Sequence, residues 1–483
     1  MKRTAKWLVL ALCLVLCFAV FSGCQTPDDP AASQTPAASP TDSASAEPTQ
    51  APQAKYMKAG ETYRILVWSN SVEDQPLTEE GIRGQMAQMK YDELINNYGV
   101  TPKYIVSPSD WVGEITNSTY AGSPITDLFH IGGPFTILSF YTFGGERGAV
   151  IEPVDQYGIE FNDSEYWDLT SQQAASFNGS QYMISPNYIG FDSVSLNAMT
   201  IFNKALIQKA GYTPEQLYNW SNNGEWTFAK FREVALACTN LDNDVYGTSV
   251  VQNAFLMSTM VASNGSDLFV NNSEGIPTFN LLDSKAMTAI NFLIQMARDD
   301  KSVNLDYNSK EEAAFTTGNT AMIVTYANRI ADKNVYLRMD DDYGMVMPPK
   351  GPDASDYISD KNWFDGYMVC KNTGHTAGAV EFASLFLKPV YSISSQEHVD
   401  LLEAQCQTYR LDAESIAILR KVPAISHSTS YIIYWSCDTG SGQVASVCNY
   451  QFPLFVDGSL SPDTYYASME SAINAAIKTA LQL

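Results

Sequence analysis

Between Tyr63 and Gly133 the chain alternates short apolar runs with stretches of helical period, and that alternation narrows the fold to an open α/β sheet. Tyr63-Arg64-Ile65-Leu66-Val67-Trp68 reads as a buried parallel strand, broken by Ser69-Asn70-Ser71. From Glu79 to Tyr98 the apolar residues Ile82, Met86, Met89, Leu94 and Tyr98 keep near-helical spacing, and Gly99 suits the position just past a helix end. Pro102 to Val106 restarts a strand, Trp111 to Tyr120 a helix, and Thr126 to Ile131 a third strand ending at Gly132-Gly133. A β-α-β unit of this kind crosses over right-handedly. Ligands of open α/β sheets bind beyond the carboxyl ends of the strands. That rule singles out Trp68, Ser69, Asn70 and the region from Asp127 to Gly133.

A second α/β region starts near Tyr188. Val194 to Phe202 reads as a strand, Asn203 to Gly211 as a helix with a glycine stop, and Thr227 as the cap of a helix running to Cys238. A strand begins at Tyr246-Gly247, an amphipathic helix spans Met287 to Ala297, and Phe315 to Asn319 turns into a strand through Val324. Tyr343 to Met347 is a strand closed by Pro348-Pro349; Tyr367 to Cys370 is another, followed by a helix from Thr376 to Leu387. Tyr431 to Trp435 reads equally as a strand or as a buried helix turn.

The first sixty residues are of another kind. Lys2, Arg3 and Lys6 precede an apolar run from Trp7 to Phe21, the layout of a secretory signal and too short for a comfortable membrane span. Phe21-Ser22-Gly23-Cys24 resembles a bacterial lipobox with Phe21 in place of the usual Leu, which makes Cys24 the expected lipid attachment point and residues 1–23 the signal peptide. Residues 24–60 are rich in Pro, Ala, Ser and Thr and cannot bury enough apolar surface to offset chain entropy. They read as a disordered leash with a reach of about 30–35 Å. The expected location is the outer face of a bacterial cytoplasmic membrane.

Past the leash, about 420 residues call for two lobes. The formal net charge is −24, and loss of Lys2, Arg3 and Lys6 with the signal takes it to −27. Such acidity argues against nucleic acid and against adhesion to anionic lipid. Cys238, Cys370, Cys406, Cys437 and Cys448 show no CxxC spacing and read as buried free thiols, although Cys437 and Cys448 could close a loop. The histidines His130, His375, His398 and His427 are scattered, so neither a metal site nor a cofactor is expected.

Several stretches in order carry a family likeness: Phe202-Asn203-Lys204-Ala205-Leu206 with Ala210-Gly211, Trp226 to Phe231, and Tyr246-Gly247. Phe315 to Met322, Tyr343 to Pro352 and Asp365 to Val369 follow, and Gly122-Ser123-Pro124-Ile125-Thr126-Asp127 resembles a strand entry with two residues inserted. Together, over about residues 61 to 390, they resemble the extracellular solute-binding proteins that feed ABC importers, the group with maltose and oligosaccharide binders. The resemblance implies a type II periplasmic-binding-protein-like fold: two α/β lobes joined by a multi-strand hinge, with the ligand in the cleft between them. It implies lobe 1 at 61–186 with about 364–415, and lobe 2 at 187–363 with about 416–483. The first crossing would fall near Ser185-Pro186-Asn187 and the return near Asn362-Trp363-Phe364. A monomer that hands its ligand to a membrane permease, without catalysis, is the implied mode of action.

Sugars combine hydroxyl edges with apolar C–H faces, so their sites pair planar aromatics with carboxylates and amides. With 8 Trp, 27 Tyr and 22 Phe, position rather than residue type must choose among them. The candidates are Trp68, Ser69, Asp127, Tyr188, Asp192, Tyr326, Asn328, Trp363 and Asp365, with Trp363 and Asp127 placed first. Trp226 reads as structural. Two rivals differ in class. A glycosidase needs only two carboxylates, and the chain has 53 acidic residues. A surface sensor or adhesin would share the same fold. Peptides and other polar solutes stand as alternative ligands to a carbohydrate.

Overall fold

The computed structural model describes residues 53–68, 82–133, 136–187, 196–249, 254–305, 311–331, 336–361, 363–428, 431–449 and 451–483. Cys24, Ser69, Tyr188 and Asp192 lie outside these residues. Eleven strands frame the two lobes. The first sheet uses β1 (Thr62–Val67), β2 (Thr101–Val106) and β3 (Leu128–Gly132); the second uses β4 (Ala198–Asn203), β5 (Tyr246–Ser249), β6 (Val303–Asn304), β7 (Thr320–Tyr326) and β8 (Tyr343–Val346). The chain then returns through β9 (Ser359–Asp360) and β10 (Asp365–Val369), and β11 (Ser426–His427) follows in the tail.

In the first lobe the strand order is β10-β3-β1-β2. β1 runs parallel to β2, from Thr62 opposite Thr101 to Val67 opposite Val106, and parallel to β3. β10 is antiparallel to β3, with Asp365 opposite Gly132 and Tyr367 opposite His130. Helix α1 (Ile82–Glu93) connects β1 to β2 and ends in a π turn, after which Gly99 takes φ 68° and donates its N–H back to Ile95. Helix α2 (Trp111–Tyr120) leads to β3 and starts at Asp110, whose side chain accepts from the Gly113 N–H at 3.1 Å. Side chains alternate across a strand. Tyr63, Ile65 and Val67 therefore pack with Phe382 and Ala379 on one face, while Leu66 joins Phe129 and Ile131 on the other. Helix α3 (Thr376–Phe386) supplies the first of these covers, its Phe382 ring stacked 4.7 Å from Tyr63.

The second lobe has the order β6-β5-β7-β4-β8, with β4 antiparallel to both neighbours and all six of its residues buried. The cap expected at Thr227 is made, and Asn203, expected inside the helix, caps it instead. Asn203 Oδ1 accepts from the Leu206 N–H at 3.0 Å, and Thr227 Oγ1 from the Lys230 N–H at 3.4 Å. Trp226 is fully buried between Trp220 and Phe231.

Three segments tie the lobes. Ile184 bridges to Tyr367 and Pro186 to Trp167 at the first crossing, β9 pairs with β11, and Lys361 forms an ion pair with Asp168. Both partners of that pair are about nine-tenths buried. Although burial opposes ionisation, the Lys361 ammonium and the Ser171 donors hold the Asp168 carboxyl below its ordinary value.

The tail reaches the second lobe before residue 415: the Tyr409 carbonyl accepts from Tyr343, Asp412 pairs with Lys204 at 2.5 Å, and Ser415 Oγ accepts from the Met345 N–H at 2.9 Å. Residues 409–415 thus pack against the five-stranded sheet. Tyr431–Ser436 is helical, which decides between the two readings of that segment. Cys238, Cys370, Cys406, Cys437 and Cys448 are all buried and outside any disulfide. Among the described residues no helix is long and apolar enough to cross a membrane, and no cluster of side chains could hold a metal ion.

Candidate functional site

The carboxyl ends of β1 and β3 gather an aromatic cluster around one acid. Trp68 leaves β1 and meets Trp111, the first residue of α2, edge-to-face at 4.6 Å. It also meets the His130 ring at 6.1 Å. His130 is stacked on Tyr367 at 5.0 Å, and its Nε2 is hydrogen-bonded to the Asp365 carboxylate. The register explains this grouping, because opposed residues of antiparallel strands share a face. Gly132 and Asp365, and His130 and Tyr367, are such opposed pairs. Trp363 lies over the end of β3. A Cβ added to Gly133 would come within 2.9 Å of its ring, and Gly133 itself has φ +86°, so this position requires glycine.

Asp365 is 34% exposed and His130 12%, so the carboxylate remains reachable while the imidazole orients it. Indole faces beside a carboxylate can bury the C–H face of a saccharide and accept from its hydroxyls.

On the second lobe, Tyr326 ends β7 and Asn328 follows it. Burial, with the nearby Asp360 charge adding to it, pushes the Tyr326 phenol well above its ordinary value, so it stays a neutral donor and acceptor. Arg329 pairs with Glu312 at 2.5 Å beside it. One short stretch serves both groups: Asp360 acts on Tyr326, and Trp363 and Asp365 of the same return crossing stand in the first-lobe cluster.

Asp127 is not brought to this end. It precedes β3, at the opposite end of the sheet from Trp68, and is fully buried. Its carboxylate accepts from the Arg64 N–H at 2.7 Å, from Arg64 Nε at 3.1 Å and from the outer guanidinium nitrogen at 2.7 Å. His375 Nε2 adds a contact at 3.1 Å. Hydrogen bonding to Asp127 raises the Arg64 guanidinium further, against the effect of burial. Asp127, expected as a ligand contact, thus sits in a buried ion pair at the amino end, apart from the Trp68 cluster. Trp111 was missed from sequence, and His130 and Gly132 lay within the stretch from Asp127 to Gly133 without being named as contacts. The signal for His130 was its place two residues before the glycine pair that ends β3, with Trp111 opening the preceding helix.

Residues 87–391 match the model of the bacterial extracellular solute-binding proteins. The chain belongs to that family. Solved structures with the same fold include a cyclic α-maltosyl-1,6-maltose binding protein from Arthrobacter globiformis, at TM-score 0.63 and 12% identity over 86% of this chain and 99% of that one. The sugar-binding protein MalE of Xanthomonas citri matches at TM-score 0.58 and 14% identity, over 86% and 98%. An ABC substrate-binding protein from Listeria monocytogenes in complex with cycloalternan matches at 0.53 and 16%, again over 86% and 98%. No curated protein matches the chain. The solute-binding family and its two-lobed fold are as the sequence implied.

Proposed function

We propose that this protein captures a carbohydrate, an oligosaccharide first of all, by closing its two lobes on it, and delivers it unchanged to the permease of an ABC-type importer. The observation that carries this reading is the cluster of Trp68, Trp111, Trp363, His130 and Asp365 at the carboxyl ends of the first-lobe strands. Saccharide binding by the structural relatives supports it. Tyr326 and Asn328, with Tyr188, Asp192 and Ser69, complete the proposed ligand contacts. Ligand bridging both lobes favours the closed form by its differential affinity. Lipid on Cys24 and the leash behind it would keep a monomeric receptor close to its permease.

A thermal-shift screen over linear and cyclic glucans, peptides and polyamines tests the reading. A ligand at 100 times its Kd adds about 2.7 kcal/mol to stability. Stabilisation by a glucan is the expected outcome; stabilisation by peptides or polyamines alone would overturn it. Mass spectrometry of the mature N-terminus tests the lipid on Cys24.

A further inference from the structure

We propose that Gly132 is a specificity-determining residue of the cleft, its missing side chain leaving a slot that receives one hydroxyl of the ligand. The inference rests on the carbohydrate reading and deepens it.

Gly132 is the last residue of β3 and is half-buried. A Cβ built on it would lie 3.9 Å from Trp68 Nε1 and 4.0 Å from Trp363 Nε1, with nothing nearer among the described residues. Two indoles thus turn their nitrogen edges toward one point. Asp365 stands directly opposite Gly132 in the ladder, so its carboxylate leaves the sheet on the same face. His130, two residues back on β3, fixes that carboxylate by its hydrogen bond.

These surroundings select by chemistry. A hydroxyl oxygen has two lone pairs and one proton. In the slot it accepts from the two indole N–H groups and donates to Asp365. A ligand carboxylate would meet the negative Asp365, and a ligand ammonium offers no lone pair to the indoles. The slot therefore favours a neutral polyol over an anionic or cationic solute.

Gly132, unlike Gly133, has no positive φ, and the nearest contacts of an added methyl are ordinary van der Waals distances. Gly132→Ala should thus fold normally while filling the slot. The test is calorimetric titration of wild type, Gly132→Ala, Trp68→Phe and Trp363→Phe with maltotetraose and cycloalternan, alongside melting curves without ligand. Expected is an unchanged melting temperature for Gly132→Ala with affinity on the order of 10- to 100-fold weaker. Each Trp→Phe change, which keeps a ring and removes the N–H, should weaken binding severalfold alone and add little in the Gly132→Ala background. Wild-type binding with Gly132→Ala equally tight overturns the slot and leaves the carbohydrate reading standing. No binding of either glycan by wild type overturns both. Should Gly132→Ala fail to fold, full-strength binding by both Trp→Phe variants overturns the slot.

Discussion

The two ends of the first-lobe sheet carry the same three residue types with opposite consequences. At the amino end Asp127 meets His375, whose ring packs 4.8 Å from Tyr63; at the carboxyl end Asp365 meets His130, whose ring packs 5.0 Å from Tyr367. Asp127 is fully buried and surrounded by the Arg64 guanidinium and backbone N–H, whereas Asp365 is 34% exposed and leans on His130. A carboxylate whose lone pairs are all engaged inside the protein can only hold the fold together. One that is half-engaged and open to the cleft has acceptor capacity left for a ligand. Exposure and saturation, rather than residue type, separate a closed His–Asp pair from one with acceptor capacity left for a ligand.

The largest expected effect comes from breaking the amino-end pair. Asp127→Ala leaves Arg64 and His375 without their partner and should cost about 3–5 kcal/mol of stability, read as a lower denaturation midpoint. Ligand affinity of the remaining folded protein should be unchanged; a selective loss of affinity at normal stability would place Asp127 in the site after all. Next comes Trp363→Ala at the carboxyl end. Removing the indole should weaken glycan binding by roughly 30- to 100-fold in calorimetry, at the scale of an interface hot spot of about 2 kcal/mol or more. The melting temperature should move little, because Trp363 is only partly buried.

Asp365→Asn sharpens the contrast further. It keeps the shape and one acceptor, so binding should weaken by about tenfold, while the same change at Asp127 should act on stability instead. Equal stability losses at the two positions would show that both acids are structural.

The smallest effect concerns a third His–Asp pair, in the hinge. His427 of β11 meets Asp267 at 2.6 Å. That hydrogen bond raises the imidazole above its ordinary value, against burial, with the Asp360 charge helping. A raised folded-state value means the contribution is fully present below the unfolded value near ~6.5 and is lost as pH rises through the folded one. Melting temperature should therefore fall slightly as pH increases from about 6 to about 9. His427→Gln should flatten that part of the profile; an unchanged slope in the variant would show that the pair contributes nothing.

What was readable from the chain follows the range of the interactions. The apolar run from Tyr63 to Val67 and the cap at Thr227 are patterns written in consecutive positions. The carboxyl-end rule located Trp68 and the end of β3, and the hinge likeness located Trp363 and Asp365. The ion pair of Asp127 was not legible, because it depends on Arg64, 63 residues earlier, and His375, 248 residues later. The packing of the tail was hidden for the same reason, since Asp412 joins the second lobe through Lys204, 208 residues away.

The sequence by itself determined an α/β chain long enough for two lobes, because hydrophobic period and turn residues act locally, and its ordered motifs carried the resemblance to the solute-binding family. Only the tertiary structure decided which acid is walled in and which faces the cleft. It brought His130 to Asp365 across an antiparallel ladder and set two indoles around Gly132. Those pairings are fixed by strand register between distant segments, which local period does not specify.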